Sequence, residues 1–197
     1  MMKLRLRPCK REDGRELMKW FSDERQMRMW CRDGFTFPLT DGQMDAYYAE
    51  LDQDSRAWGF TALDESGKPV GSFKMAAADY EADSVHMGYI VLAPEVRGRG
   101  VGQQMVAMAA AYAVDFLGMK RITLKVFDCN PGAKRCYEKA GFREEEYRPE
   151  EFSYRDEMWG NSLMVYNRRC RENPVSAGSH IMSINCLEAW ETGRLSL

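Results

Sequence analysis

The chain has 197 residues, 45% of them hydrophobic and 12% aromatic, which is enough for one domain with a sizeable core and a short appendage. A formal net charge of −2 rules out the global basic field that nucleic acid or an acidic membrane surface would attract. Two histidines and six scattered cysteines (9, 31, 129, 136, 170 and 186), with no C-x-x-C pair, argue against a metal site.

The opening stretch MMKLRLRPCKRED carries no secretory apolar segment, and no run reaches transmembrane length. A cytoplasmic protein with reduced thiols is therefore expected. Residues 4–8 read as a short opening strand. The pattern DGRE at 13–16 resembles a capping box, followed by Leu17, Trp20 and Phe21 at helical spacing. The aromatic segment 29–39 reads as a loop. A second box, TDGQ at 40–43, precedes Met44, Tyr47, Tyr48 and Leu51 at i, i+3, i+4, i+7 and predicts a helix.

Residues 56–63 and 69–77 read as two strands joined by the turn DESGK. The segment SVHMGYIVLA at 84–93 predicts a third strand, alternating at first and then continuously apolar. Val101, Met105, Met108, Tyr112 and Phe116 predict a long helix with one buried face, stopped by Gly118. RITLKVF at 121–127 alternates cleanly as a strand. NPGAKRCYEKAGF at 130–142 predicts a short helix with Pro131 near its start and Gly141 past its end; Ala133, Cys136, Tyr137 and Ala140 share a face. Runs near 142–148 and 158–166 predict a closing hairpin. The order specifies a mixed α/β, or α+β, sheet domain over residues 1–170. The tail 171–197 has linker composition in its first half, and GSHIM at 178–182 resembles a cloning scar, so the tail is set apart from function.

The stretch that asks for a ligand is VRGRGVGQQM at 96–105. A strand that ends in a glycine turn and starts a helix aims several free N–H groups, and the positive end of the helix dipole, at one point. That favours a phosphate or pyrophosphate, with Arg97 and Arg99 adding charge at the rim. A P-loop would need G-x-x-x-x-G-K-[ST], which is absent. A dinucleotide fingerprint would need G-x-G-x-x-G, but the glycines stand at 98, 100 and 102, and no acidic residue ends the next strand at about 20 residues on, Asp128 coming later. A plain turn without a ligand also remains open at this point.

Two segments together resemble the GNAT superfamily of N-acetyltransferases. In the first, Arg97-Gly98-Arg99-Gly100-Val101-Gly102 fits that family's Arg/Gln-x-x-Gly-x-Gly/Ala loop. In the second, Asn130, Ala133, Tyr137, Lys139, Gly141 and Phe142 fit its N-x-x-A-x-x-x-Y-x-K-x-G-F signature. The wording GY-x-x-x-P-E-x-R-G-x-G further resembles the ribosomal-protein N-acetyltransferase-like branch. The resemblance covers about residues 1–168. It implies a central, mostly antiparallel sheet of six to seven strands, splayed at the acetyl-CoA site and flanked by helices. It also implies transfer of an acetyl group from acetyl-CoA to a primary amine by direct attack.

On this resemblance the backbone of Ile90, Val91 and Leu92 pairs with the pantetheine arm. The amides of residues 97–102 hold the pyrophosphate, and Tyr137 is the general acid for the departing thiolate. Asn130 either binds the coenzyme or caps its helix. Cys136 reads as core. Many relatives place a glutamate where this chain has His86, so His86 is the candidate base, directly or through water, with Glu81 and Asp83 as alternatives. Trp30, Phe35, Phe37 and Trp58 are candidates to line the acceptor pocket, and the acidic stretch 143–152 suits a polyamine or a basic peptide amine, or is a solvated face. A non-catalytic acetyl-CoA-binding module is the alternative function; it would need the loop but not Tyr137 or a base. A homodimer is possible on sequence grounds; a metal, nucleic acid or a membrane is not expected.

Overall fold

The computed structural model describes residues 2–167; the segment 171–197 lies outside them. The chain runs through β1 (Arg5–Pro8), α1 (Asp13–Leu17), α2 (Glu24–Cys31), α3 (Asp41–Gln53), β2 (Trp58–Leu63), β3 (Pro69–Asp79) and β4 (Ser84–Leu92). It continues through α4 (Val101–Asp115), β5 (Arg121–Phe127), α5 (Pro131–Lys139), β6 (Arg143–Tyr154) and β7 (Glu157–Asn167). The seven strands form one sheet in the order β1-β2-β3-β4-β5-β7-β6. All neighbours are antiparallel except β4 and β5, which run parallel because α4 crosses over between them. The expected architecture is present.

Alternation along the strands divides the sheet into two faces. Phe60, Phe73, Met75, Met87, Ile122 and Leu124 are buried on the face covered by α4, whose Met105, Val106, Ala109, Ala110 and Ala113 are also buried. Small alanines let this helix approach the sheet closely, which suits its apolar stripe. The opposite face carries Thr61, Lys74, His86 and Thr123 and is covered by α1, α2 and α3. Gly118, at φ +73°, ends the α4 turn as expected.

Three local expectations need correction. Residues 29–31 are not loop: they finish α2, whose start is capped by Asp23 accepting from the Gln26 amide at 2.8 Å. The signal was present in the sequence as Asp23 followed three residues later by Gln26. Asp13 does not cap α1. It is buried, accepts two bonds from the Arg7 guanidinium (2.8 and 2.7 Å), and accepts from Thr61 Oγ1 at 2.6 Å, so it ties α1 to β1 and β2. The closing hairpin is longer than expected, with β6 and β7 paired from Arg143↔Val165 to Tyr154↔Glu157. Thr40 does cap α3, accepting from Gln43 N at 3.3 Å.

Candidate active site

Parallel pairing of β4 with β5 runs from Ser84↔Arg121 to Met87↔Leu124 and then stops. Both strands continue, β4 to Leu92 and β5 to Phe127, so they part like a V. The backbone of β4 beyond Met87 therefore has a free edge toward β5 while its other edge stays on β3, through Ser72↔Val91 and Gly71↔Leu92. An extended ligand can pair with such an edge.

Tyr89 has φ +52°, and the β3–β4 register slips between Ser72 and Lys74. This bulge reverses the alternation. His86 and Gly88 lie opposite Ala76 and Lys74, whereas Leu92 lies opposite Gly71 on the α4 face. The sequence pattern alone would put His86, Gly88 and residues beyond on one face.

The V opens into a cleft of about 580 Å³. Ile90, Val91 and Leu92 form one wall, and Lys125 and Val126 the other. Gly98, Gly100 and Gly102 line one end, and Asn130 and Tyr137 the α5 side. Gly100, at φ +79°, is the N-cap of α4 and has no side chain to offer. The first helical bond is Gln104 N to Gly100 O at 3.1 Å, so the amides of residues 98–103 keep their donors for a ligand, whereas the Arg97 amide, expected among them, is taken by Pro94 O at 3.3 Å. A Cβ on Gly102 would lie 3.1 Å from both Cys136 Sγ and Leu92 Cδ1, which explains why this turn of helix is bare where it borders the cleft.

Arg97 differs from expectation. Its guanidinium is not free at the rim. It donates to Leu92 O (3.1 and 3.0 Å), to Trp20 O at 2.6 Å and to Gln26 Oε1 at 3.2 Å, tying the end of β4 to the start of α2. Val101 is buried in the core, so only its amide is available. Arg99 and Val101 do not line the cleft. Asn130 caps α5, its Oδ1 accepting from Ala133 N at 3.1 Å, and also lines the cleft. Cys136 packs against the core and also lines the cleft, and burial raises its pKa, which keeps the thiol protonated.

Tyr137 is 7% exposed yet lines the cleft. Burial, with a smaller contribution from Cys136, pushes its pKa well above the ordinary tyrosine value, so it stays a donor at neutral pH. His86 is half-buried, with Nδ1 at 2.9 Å from Thr123 Oγ1, and does not line the cleft itself. Burial and then the Lys125 charge lower its pKa, which favours the neutral imidazole. Glu81 and Asp83 lie at the far end of β4 from the V, roughly 20 Å along the strand. Asp83 is also paired with Lys120 Nζ at 2.6 Å.

Several lining residues escaped the sequence reading. Phe21 comes from the segment before α2, Gln26 and Met29 from α2 itself, and Lys125, Arg135 and Lys139 bring positive charge to the cleft. The four-residue spacing of Arg135 and Lys139 on a helix beginning at Pro131 was a usable signal. Of the expected aromatics, Trp30 lines the cleft and stacks on Phe35 at 5.2 Å, while Phe37 and Trp58 lie elsewhere. No group of three or more His, Cys, Asp or Glu able to hold a metal ion occurs among the described residues, and no helix there is long and apolar enough to cross a membrane.

The Acetyltransferase (GNAT) domain model matches residues 3–143, spanning the sheet to β5, the glycine turn and α5. The chain belongs to the GNAT acetyltransferase family. Its chemistry is acetyl transfer from an acyl-CoA donor. The spermidine N(1)-acetyltransferase of Vibrio cholerae is 26% identical over 149 residues, covering 76% of this chain and 84% of that protein. A crystal structure of spermidine N-acetyltransferase from Vibrio cholerae in complex with CoA and spermine superposes with a TM-score of 0.73 at 25% identity, covering 83% of this chain and 95% of that one. A chimera of the Vibrio cholerae enzyme gives the same TM-score at 24% identity, over the same coverage.

Proposed function

We propose that this GNAT chain acetylates a primary amine of a small polyamine, using acetyl-CoA as donor, by direct attack within a ternary complex. The observation that carries the reading is the junction of three features in one cleft: the free edge of β4, the open amides at the start of α4, and Tyr137. The names of the relatives, which act on spermidine, support the polyamine class.

In this reading the pantetheine arm extends β4 along Ile90, Val91 and Leu92, and the pyrophosphate lies on the amides from Gly98 to Gly102. Arg135 and Lys139 add attraction for its phosphates. Arg97 acts as a positioning residue, holding α2 against β4 while its amide neighbours face the ligand. A β4 amide donates to the thioester oxygen as negative charge develops there.

The acceptor must be a free amine, because an ammonium has no lone pair. His86 takes that proton through a water, since its imidazole stands beside the V rather than in it. The amine nitrogen then forms a bond to the acetyl carbon, and the carbon–sulfur bond breaks. Tyr137 gives its proton to the departing thiolate and is replenished by the second proton that the nitrogen sheds as the amide forms. The products are the acetylated amine and free coenzyme A.

The test is a turnover assay that detects free thiol across a panel of amines: spermidine, spermine, short diamines and basic peptides. Saturable release of thiol with spermidine or spermine is expected. Tight acetyl-CoA binding without turnover on any amine would leave a binding module instead.

A further inference from the structure

Gly88 is the first residue of β4 beyond the last rung with β5, so it stands at the apex of the V. A Cβ built on it would meet only His86 within 4 Å, with Nε2 at 3.6 Å and Cδ2 at 3.7 Å. Residues two apart on a strand share a face, which is why the ring reaches this position. The bare glycine therefore leaves room at the apex, and the imidazole turns Nε2 toward it. Nε2 has no hydrogen-bond partner among the described residues. It is also not one of the fully buried, unpartnered side-chain atoms there, which are Trp30 Nε1 and Asn161 Oδ1, so water can reach it.

The other ring nitrogen is engaged. Nδ1 lies 2.9 Å from Thr123 Oγ1. His86 and Thr123 are direct partners in the parallel register, one rung before the strands part, so two backbones fix this contact. Thr123 is also β-branched, which restricts its χ1. A hydroxyl can donate or accept, and its choice decides which nitrogen carries the hydrogen. If Thr123 donates, the hydrogen sits on Nε2 and no lone pair faces the apex. If Thr123 accepts, the hydrogen sits on Nδ1 and Nε2 presents its lone pair. Only the second form can take a proton from water at the apex. It also persists after protonation, because an imidazolium donates from both nitrogens and Nδ1–H still needs an acceptor. The charged neighbours on this face, Lys74 of β3 opposite Gly88 and Lys125 of β5, are donors only, so Oγ1 is the acceptor at hand.

We infer that Thr123 is a positioning residue that holds His86 as its Nδ1–H tautomer, and that Gly88 keeps room for the water that carries the ammonium proton to Nε2. The inference rests on the reading of His86 as base and deepens it. The acceptor ammonium gives a proton to that water, and the water gives one to Nε2. The new imidazolium keeps its Nδ1–H on Oγ1. Thr123 and Gly88 both act through His86 rather than on the substrate.

The experiment joins ring-nitrogen NMR of 15N-histidine-labelled protein to steady-state kinetics with spermidine and acetyl-CoA. The proteins are wild type, Thr123→Val, Thr123→Ser, Gly88→Ala and His86→Ala. The chain has two histidines, so the signals lost in His86→Ala assign His86. At about pH 8 an imidazole of ordinary pKa, about 6.5, is neutral. There the wild-type spectrum is expected to show hydrogen on Nδ1 and a bare, pyridine-type Nε2. Thr123→Val keeps the shape and removes the hydroxyl. It should lose that tautomer preference and lower kcat about tenfold, the loss of one hydrogen bond to a charged group, with the acetyl-CoA KM unchanged. Thr123→Ser should restore both. Gly88→Ala puts a methyl at an ordinary 3.6 Å from Nε2, so it should fold and keep the tautomer but lose kcat as the water is displaced. Hydrogen on Nε2 in the wild type overturns the inference, whether or not any variant folds. Wild-type tautomer and kcat in folded Thr123→Val overturn it as well. Wild-type turnover in His86→Ala overturns the base reading instead, and the wild-type spectrum, read without turnover, tells the two failures apart. A wild type that does not turn over spermidine overturns the polyamine reading, while the spectrum still decides the tautomer.

Discussion

Met87 and Leu124 form the last rung between β4 and β5, and the cleft opens beyond that rung. Before it the two strands share a ladder and a buried core. After it their backbones separate, and the open edge of β4 meets the bare start of α4. The separation is sustained by contacts on either side: the Arg97 guanidinium binds Leu92 O on the β4 arm, and Asp128 Oδ2, just past the β5 arm, accepts from Gly160 N at 3.0 Å.

Removing the hydroxyl of Tyr137 tests the proton donor. Tyr137→Phe should lower kcat about 100-fold with little change in the acetyl-CoA KM. Single-turnover kinetics will establish that chemistry is being read. A near-native rate for the chemical step would return Tyr137 to a packing role on α5.

The pH dependence tests His86. Its pKa is lowered by burial and by Lys125, so the neutral, proton-accepting form gains at the expense of the imidazolium. With ionisation of the acceptor amine separated out, the rising limb of kcat/KM should fall below the ordinary histidine value of about 6.5. His86→Ala should remove that limb and slow turnover by about 100-fold or more, and His86→Glu should restore part of it. Survival of the limb at the same pH in His86→Ala would make the residue structural.

Gly102→Ala is the cleaner probe of the coenzyme loop, because Gly100 sits at φ +79° and any side chain there strains the backbone itself. At Gly102 the new methyl meets only the ends of the Cys136 and Leu92 side chains, at 3.1 Å. Titration calorimetry should show acetyl-CoA binding weakened about tenfold, with a melting temperature near wild type. Undiminished affinity would move the pyrophosphate away from the start of α4.

Asp13 should govern acid stability. Burial opposes its charge, but hydrogen bonds from Arg7, Thr61 and the Lys10 amide outweigh that and lower its pKa. A carboxylate whose folded pKa lies below its unfolded one contributes stability above about pH 4 that is lost as pH falls through the folded value. Asp13→Asn should cost about 2 kcal/mol at pH 7 by denaturant titration, and the deficit should shrink toward pH 2. An equal deficit at both pH values would mean that the charge is not what Asp13 supplies.

Local pattern was enough for much of the fold. The alternation of RITLKVF delimits β5 at Arg121–Phe127, and the helix of Tyr137 begins at Pro131 behind its Asn130 cap, because period and capping chemistry depend on neighbours a few residues away. The loop glycines were legible for the same reason: a bare strand-to-helix turn has a local meaning. What the sequence could not decide was every relationship set by partners distant along the chain. Alternation put His86 on one face with residues beyond Gly88, but a bulge at Tyr89, imposed by register with β3, reverses the strand before Leu92. Arg97 reads as a phosphate ligand by its place in the motif, yet carbonyls of Leu92 and Trp20 hold its guanidinium. Glu81 and Asp83 look close to the site in number, and the rise of an extended strand carries them away from it. Thr123 gave no signal at all, because its hydroxyl meets His86 only once β4 and β5 have paired. Periodicity is a property of the chain; which polar groups meet is a property of packing, and the chemistry of this site depends on the second.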